Sequence, residues 1–276
     1  AGLSTWEFCN WTKDALDKSK VRGFAEPLPS AIREQYDLVS RDNAYSSIHN
    51  PKNLGEMLTA RKRLVFDELL RIQLLLLARK RQLELATQGI SHDFSGDLVN
   101  KLIESLPFEP TNAQSKAIAE IFQDLRASCP MHRLLQGDVG SGKTLVAIAA
   151  LLSVVEAGKQ GSIMAPTEVL AEQHFVSAKE LLGSFILVDS TNLLGERKLN
   201  ISLLTSQTSE KDAKEIRAKL RRGEIDIIVG THSLIQESVE FADIGLAVVD
   251  EQHRFGVDQR AALRNKGNSA AIPDLL

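Results

Sequence analysis

The 276-residue sequence is poor in cysteine, in long apolar runs and in net charge. Cys9 and Cys129 are too few for a disulfide framework and stand in no metal-type spacing, which favours a reducing, cytosol-like compartment. The longest apolar stretch of the first half, residues 74–78, is far shorter than the ~20 residues that span a bilayer. Residues 1–20 mix polar and apolar types, so we expect no signal peptide. A composition of 43% hydrophobic and 25% charged residues excludes collagen-like and disordered chains.

The small net charge of −3 argues against a nucleic-acid-binding field over the whole protein. One basic segment nevertheless stands out, at residues 57–86. We interpret it as the solvated basic face of an amphipathic helix, with contact to phosphates as the alternative. The basic residues of this segment are Arg61, Lys62, Arg63, Arg71, Arg79, Lys80 and Arg81.

Two regions with different hydrophobic periods predict two structural units. In residues 1–105, a helical period without Gly or Pro after Gly55 predicts one helix of some thirty residues from Leu54 to Ala86. Shorter helices are predicted near residues 12–19, 30–36 and 41–47, and a loop at residues 89–96. We therefore predict an all-helical region at residues 1–105, followed by a second domain at residues 106–276.

The second region alternates short apolar runs with helical segments, which predicts an α/β domain. The runs contain no polar alternation, as is typical of parallel strands covered on both faces. Helices are predicted at residues 143–157, 167–182 and 210–222, each ending before a glycine, and Ser209 with Asp212 predicts a capping box. The predicted strands are residues 133–136, 162–165, 201–204, 225–229 and 246–249.

A nucleotide-binding loop is the strongest functional signal. Residues 137–144 match the pattern G-x-x-x-x-G-K-[ST], in which small residues let backbone N–H groups surround a phosphate at a helix N-terminus. Lys143 would supply positive charge to the β- and γ-phosphates, and the Thr144 hydroxyl would ligate Mg²⁺. We predict an NTP site formed by Gly137, Asp138, Val139, Gly140, Ser141, Gly142, Lys143 and Thr144.

Such a site needs a carboxylate at the end of a neighbouring strand. The run at residues 246–249 ends in Asp250 and Glu251. Asp250 would hold Mg²⁺ through a water, and Glu251 would polarise the attacking water. The alternative interpretation is a solvated turn with two acidic residues.

The sequence Asp250-Glu251-Gln252-His253 resembles motif II of the DExH-box helicases. Its extension, Arg254-Phe255-Gly256-Val257 with Gln259-Arg260, resembles the RecG-type branched-DNA helicases and the related transcription-repair coupling translocases. Gln252 favours the RecG type, since the coupling translocases usually have Glu there.

Further segments resemble other motifs of these helicases in the same order. Phe108 and Gln114 lie in a segment similar to the adenine-reading one, which implies that Gln114 contacts the base. The resemblance implies DNA contacts for Pro166, Thr167, Glu168, Gly230, Thr231 and His232, and a coupling role for Gln252 and His253. Both DNA segments follow predicted strand ends, where polar groups can meet phosphates without reading sequence. We interpret His174 and His132 as ordinary helix and strand residues.

The resemblance implies the first RecA-like motor domain, preceded by the helical linker that joins it to a DNA-splitting wedge domain. Its implied cofactors are ATP and Mg²⁺. The implied activity is ATP-dependent remodelling of stalled forks and Holliday junctions in recombination and repair, in the bacterial cytoplasm at the nucleoid. Implied partners are branched or duplex DNA, single-stranded DNA-binding protein, and the parent protein's wedge and second RecA-like domains.

We expect the chain to be truncated before motif III and nearly inactive alone, because the second domain completes the ATP site. The connection at residues 184–199 is longer than the resemblance predicts, and Thr205-Ser206-Gln207 lacks the usual glycine. A coupling-type duplex translocase and a non-catalytic nucleotide-binding scaffold remain alternatives.

Overall fold

The computed structural model describes residues 2, 4–20, 23–86, 89–188, 195–256, 266 and 272–276. The chain forms two compact units, Ala1–Gln82 and Leu83–Leu276. Residues such as Phe94, Leu98 and Leu102 are buried in the core of the second unit. These compact units divide at residue 82, and the predicted division into a linker at residues 1–105 and a motor domain at residues 106–276 stays a prediction.

The first unit is helical. Its helices are α1 (Thr5–Lys20), α2 (Ser30–Gln35), α3 (Arg41–His49) and α4, which runs over Leu54–Ala86 and ends beyond the unit's boundary. The 33-residue α4 confirms the predicted long helix. At the start of α3 the Ser40 hydroxyl accepts a hydrogen bond from the backbone N–H of Asn43, a typical N-cap.

One basic residue of α4 does not lie on a solvated face. Arg63 is fully buried, and its guanidinium donates to Glu26 Oε1 (2.5 Å), Asp67 Oδ1 (3.0 Å) and the Val39 carbonyl (2.8 Å). The interpretation of a solvated basic face is therefore wrong for Arg63, since a buried guanidinium must be paired and hydrogen-bonded. The other basic residues of the segment are exposed.

The second unit contains a five-stranded parallel sheet with strand order β4-β5-β1-β6-β7. Strands β2 and β3 form a separate antiparallel pair. The strands are β1 (Gln160–Met164), β2 (Ile186–Val188), β3 (Glu196–Lys198), β4 (Ile201–Leu204), β5 (Ile227–Gly230), β6 (Ile244–Val249) and β7 (Asp274–Leu275). The helices are α5 (Asp97–Ser105), α6 (Asn112–Arg126), α7 (Lys143–Glu156), α8 (Glu168–Leu182) and α9 (Glu210–Arg221), with 3₁₀ turns at His232–Ile235 and Gln252–Arg254.

Burial on both faces of the sheet explains the unbroken apolar runs. Along β5, Ile227 and Val229 enter one buried cluster while Ile228 enters the other. In β1 the same alternation separates Ile163 from Met164. Since successive side chains of a strand point to opposite faces, both faces are covered by helices, as predicted.

Four of the five predicted strands are confirmed, and the run at residues 133–136 is wrong. That segment forms no strand in the described part of the chain. The pairing there is a single bridge between His132 and Leu275, in which the Arg133 N–H donates to the Leu275 carbonyl (3.1 Å). The predicted helices α7, α8 and α9 are confirmed, and the Ser209 hydroxyl caps α9 by accepting from the Asp212 N–H. No helix among the described residues has the length and apolar character needed to cross a membrane.

Candidate active site

The predicted phosphate-binding loop connects residue 136 to the start of α7 and is exposed. Gly140 and Gly142 have φ angles of 79° and 77°, a left-handed conformation that side chains disfavour. Gly142 is the N-cap of α7, so the unpaired N–H groups of the helix's first turn lie directly beside the loop. This combination of loop and helix N-terminus is suited to binding an anion.

The Lys143 side chain folds over this loop. Its Nζ donates hydrogen bonds to the carbonyl oxygens of Gly137 (2.8 Å) and Asp138 (2.9 Å). At Gly137 an added Cβ would lie 2.7 Å from the Ser141 hydroxyl, so a side chain there would require Ser141 to move. The loop is therefore a tight turn that holds its lysine across the position predicted for phosphate.

Gln114 connects the predicted adenine-reading segment to the phosphate loop. Its Oε1 accepts from the Thr111 N–H (2.8 Å) and the Thr111 hydroxyl accepts from the Gln114 N–H, which completes a capping box at the start of α6. Its Nε2 donates to the Ser141 carbonyl (2.9 Å). The structure thus adds a contact to the loop that the sequence did not predict. Phe108, the other predicted adenine contact, is 56% exposed.

Asp250 follows β6 at the carboxyl edge of the sheet. Its backbone N–H donates to the Met164 carbonyl (2.9 Å), and its Oδ2 lies 2.8 Å from His174 Nε2. The hydrogen bond to His174 is the main reason why the pKa of Asp250 is lowered; partial burial opposes it, and the charge of Lys143 assists. Asp250 is therefore ionised at neutral pH and within electrostatic reach of the phosphate loop.

Glu251 has an unusual backbone. Its φ of 53° and ψ of 48° are left-handed, which is uncommon for a residue other than glycine. Its exposed carboxylate has His253 Nε2 at 3.3 Å and Arg254 Nε at 3.8 Å. Strained backbone of this kind concentrates at functional sites, so the conformation supports a role for Glu251.

His174 is the main residue that the sequence interpretation missed. His174 lies on α8, as predicted, but the structure also pairs it with Asp250, 76 positions away in the sequence, a contact that the sequence did not predict. The pairing follows from the adjacency of β1, which precedes α8, and β6, which precedes Asp250. No sequence signal indicates which parallel strands become neighbours.

The segments predicted to contact DNA meet at the same sheet edge. Thr167 caps α8, and the Glu168 carboxylate accepts hydrogen bonds from the Ser206 hydroxyl and from Gln207 Nε2 (2.6 Å). The bond from Ser206 is the main cause of the lowered pKa of Glu168, and His232 adds a favourable charge. The contacts made by Ser206 and Gln207 were not predicted from the sequence.

The residues predicted to contact DNA differ in their solvent exposure. His232 and Thr167 are exposed, Pro166 and Glu168 are half-buried, and Gly230 and Thr231 are buried. At Gly230 an added Cβ would lie 2.3 Å from the Leu204 carbonyl, so glycine there serves strand packing.

The structure describes the predicted extension of motif II and the connection at residues 184–199 only in part. Val257, Gln259 and Arg260 lie outside the described residues. Within residues 184–199, β2 and β3 pair antiparallel, and residues 189–194 also lie outside the described residues. Arg197 of β3 donates two hydrogen bonds to Asp226 (2.7 and 2.6 Å), which anchors β3 to the start of β5.

Comparison with known proteins agrees with this geometry. The DEAD/DEAH box helicase family matches residues 111–272. The ATP-dependent DNA helicase RecG of Synechocystis sp. is 44% identical over 92% of this chain, and that of Bacillus subtilis is 45% identical over 91%. The chain covers 29% and 35% of those two proteins, about a third of their length. A structure of RecG bound to a three-way DNA junction matches all of this chain and 35% of its own, with a TM-score of 0.74 and 37% identity.

Proposed function

Because the chain belongs to the DEAD/DEAH box helicase family, we propose that it is the ATP-binding part of a RecG-type DNA helicase. The whole protein would use ATP to remodel branched DNA, such as stalled replication forks and Holliday junctions, in recombination and repair. The observation that carries this proposal is the position of Asp250 at the end of β6, beside the strand β1, in a chain that is 44% and 45% identical to two RecG helicases over more than nine tenths of this chain.

The nucleotide would be held by the residues of the phosphate loop. The N–H groups at the start of α7 and the Lys143 ammonium would bind the phosphates, as in other P-loop NTPases. Gln114 and Phe108 would contact the adenine. Glu251 would orient the attacking water, since it is the second residue after β6 and its carboxylate is exposed.

The oxygen ligands suit Mg²⁺. Among the described residues, no three His, Cys, Asp or Glu side chains are grouped to hold a metal ion. Mg²⁺ does not need such a group, because it keeps several waters and binds one or two protein oxygens together with substrate phosphates. The Thr144 hydroxyl and the ionised Asp250 carboxylate fit that requirement. When bound, the ion would neutralise charge that develops on the phosphates.

DNA would be contacted at the sheet edge that carries Thr167, Glu168 and His232, with Pro166, Gly230 and Thr231 shaping it. Contacts to the sugar-phosphate backbone do not read sequence, which suits a translocating enzyme. Gln252 and His253, next to Glu251, would couple the ATP state to domain motion. Residues 1–105 would form the linker to a wedge domain, and a second RecA-like domain would complete the ATP site. Single-stranded DNA-binding protein is a further proposed partner, in the bacterial cytoplasm at the nucleoid.

The test is the ATPase rate of the full-length protein on single-stranded, duplex and four-way DNA of equal length. We expect four-way DNA to stimulate ATP hydrolysis most, and Lys143→Ala to abolish the stimulation. Equal stimulation by duplex DNA would favour a coupling-type translocase instead. ATP binding without any DNA-stimulated hydrolysis would favour the non-catalytic scaffold and refute the proposal.

A further inference from the structure

We propose that His174 is a positioning residue for Asp250: its Nε2–H donates to Oδ2 and fixes the carboxylate that would hold Mg²⁺. The inference rests on the proposed function, because it takes Asp250 as the metal ligand. It goes beyond that function by bringing in α8, the helix after the predicted DNA-contacting segment, as the support of the metal site.

The contact joins two elements that the fold holds firmly. His174 lies on α8 three residues after Ala171 and four before Ala178, and residues at this spacing share one helix face. Both alanines are buried in the core, so this face of α8 packs against the core. His174 itself is 18% exposed, and its Nε2 reaches Asp250 Oδ2 at 2.8 Å.

The direction of the hydrogen bond follows from the charge of Asp250. An ionised carboxylate is an acceptor only, so the ring nitrogen facing it must carry the proton. The distance of 2.8 Å between Nε2 and Oδ2 is that of a hydrogen bond. His174 therefore donates through Nε2.

His174 adds a side-chain anchor to the anchors that the backbone provides. The Asp250 N–H donates to the Met164 carbonyl (2.9 Å), which fixes the main chain at the end of β6. The backbone N–H of Glu251 also stabilises the Asp250 carboxylate, and the hydrogen bond with His174 fixes the position of Oδ2. His174 holds one oxygen, and a carboxylate oriented in this way binds a metal without first losing rotational freedom.

A structural role alone would have a different signature. Asp250 is 31% exposed at its side chain, so the pair lies at the rim of the core and not within it. Removing a hydrogen bond that only stabilises the fold would lower the unfolding temperature and leave metal dependence unchanged. Removing a positioning contact changes the Mg²⁺ requirement. A loss of metal affinity of about 10- to 100-fold is typical when a group that hydrogen-bonds a metal ligand is removed.

The experiment compares four variants in the full-length protein. His174→Phe keeps the ring shape without a donor. His174→Gln places an amide nitrogen near the position of Nε2, whereas the shorter His174→Asn does not reach it. Phe175→Leu changes the packing of the next residue on α8 and serves as the control. For each protein we would measure the affinity for a fluorescent ADP analogue in Mg²⁺ and in EDTA, the Mg²⁺ concentration for half-maximal ATPase, and the thermal unfolding temperature.

We expect His174→Phe and His174→Asn to need about 10- to 100-fold more Mg²⁺, with unchanged ADP affinity in EDTA. His174→Gln should recover most of the wild-type Mg²⁺ dependence, and Phe175→Leu should leave it unaltered. A wild-type Mg²⁺ requirement in both His174→Phe and His174→Asn would overturn the inference, as would a glutamine variant no better than the asparagine one. If His174→Phe does not fold, the Gln and Asn pair decides. A wild-type protein that binds nucleotide without any Mg²⁺ dependence would instead refute the proposed function.

Discussion

Replacing Glu26 by glutamine should weaken the helical unit Ala1–Gln82 by up to about 3 kcal/mol at neutral pH. Burial by itself would raise the pKa of Glu26. Hydrogen bonds from Arg63 and from the N–H groups of Arg41 and Leu28 outweigh it and lower the pKa from 4.5 to about 2. A pKa decrease of that size means that the folded state favours the charged form of Glu26 by roughly 3 kcal/mol relative to the unfolded state. It is an upper limit, because 27% of the Glu26 side chain is exposed and water screens the pair.

The pH dependence has a definite sign. Since the pKa of Glu26 is lower in the folded unit, its contribution to the free energy of unfolding is fully present above the unfolded pKa of 4.5. It decreases as the pH falls through 4.5 toward 2. The wild-type protein and Glu26→Gln should therefore differ most near pH 7, and the difference should decline as the solution is acidified below pH 4.5.

Hydrogen–deuterium exchange of peptides from α3 and α4, read by mass spectrometry, measures this local opening directly. We expect Glu26→Gln to accelerate exchange at pH 7 by up to about 100-fold, since 1.4 kcal/mol is a factor of ten. The matched control is Glu34→Gln, which changes an exposed glutamate of α2. Unchanged protection in Glu26→Gln, or equal acceleration in Glu34→Gln, would refute the assignment of this energy to the Arg63 pair.

Three predictions concern the nucleotide site. Lys143→Ala should weaken ATP binding by about 10- to 100-fold, the loss expected for a charged hydrogen bond; undiminished affinity by calorimetry would contradict the assignment. Glu251→Gln in the full-length protein should keep ATP binding and lower turnover by about 10²- to 10⁴-fold, and a normal rate would reject Glu251 as the water-orienting group. Gly142→Ala forces a Cβ to 2.3 Å from Gln114 Nε2 at a φ of 77°, so it should displace Gln114 from the Ser141 carbonyl and weaken nucleotide binding several-fold in a titration. Gln114→Ala removes the same contact directly. If both variants bind nucleotide as tightly as the wild type, the hydrogen bond from Gln114 to the Ser141 carbonyl has no role in binding.

The periodicity of the sequence predicted most helices and strands well. The 33-residue α4 follows from an uninterrupted helical period, and α9 from the N-cap Ser209 and the glycine that follows it. The predicted capping box at α9 is only half formed, because the Asp212 carboxylate accepts from the Ser209 hydroxyl (2.7 Å). The strand prediction for residues 133–136 was wrong because a strand forms only by pairing with a neighbour, and a local apolar run does not identify that neighbour. The prediction of a solvated side chain was wrong for Arg63 for a related reason. Its partner Glu26 is 37 residues away, so helical spacing could not show that the guanidinium is buried and paired.

In the candidate site, too, some features could be predicted from the sequence and others appeared only in the tertiary structure. Local chemistry determined the phosphate loop and the acidic pair Asp250-Glu251, because glycine conformation, a helix N-terminus and a strand end are properties of adjacent residues. The sequence could therefore predict these residues, and the roles proposed for them stay predictions. Tertiary structure decided which groups lie beside them: His174 against Asp250, Gln114 against the loop, and Ser206 with Gln207 against Glu168. Those contacts depend on the order of parallel strands in the sheet, which is set by packing between distant segments.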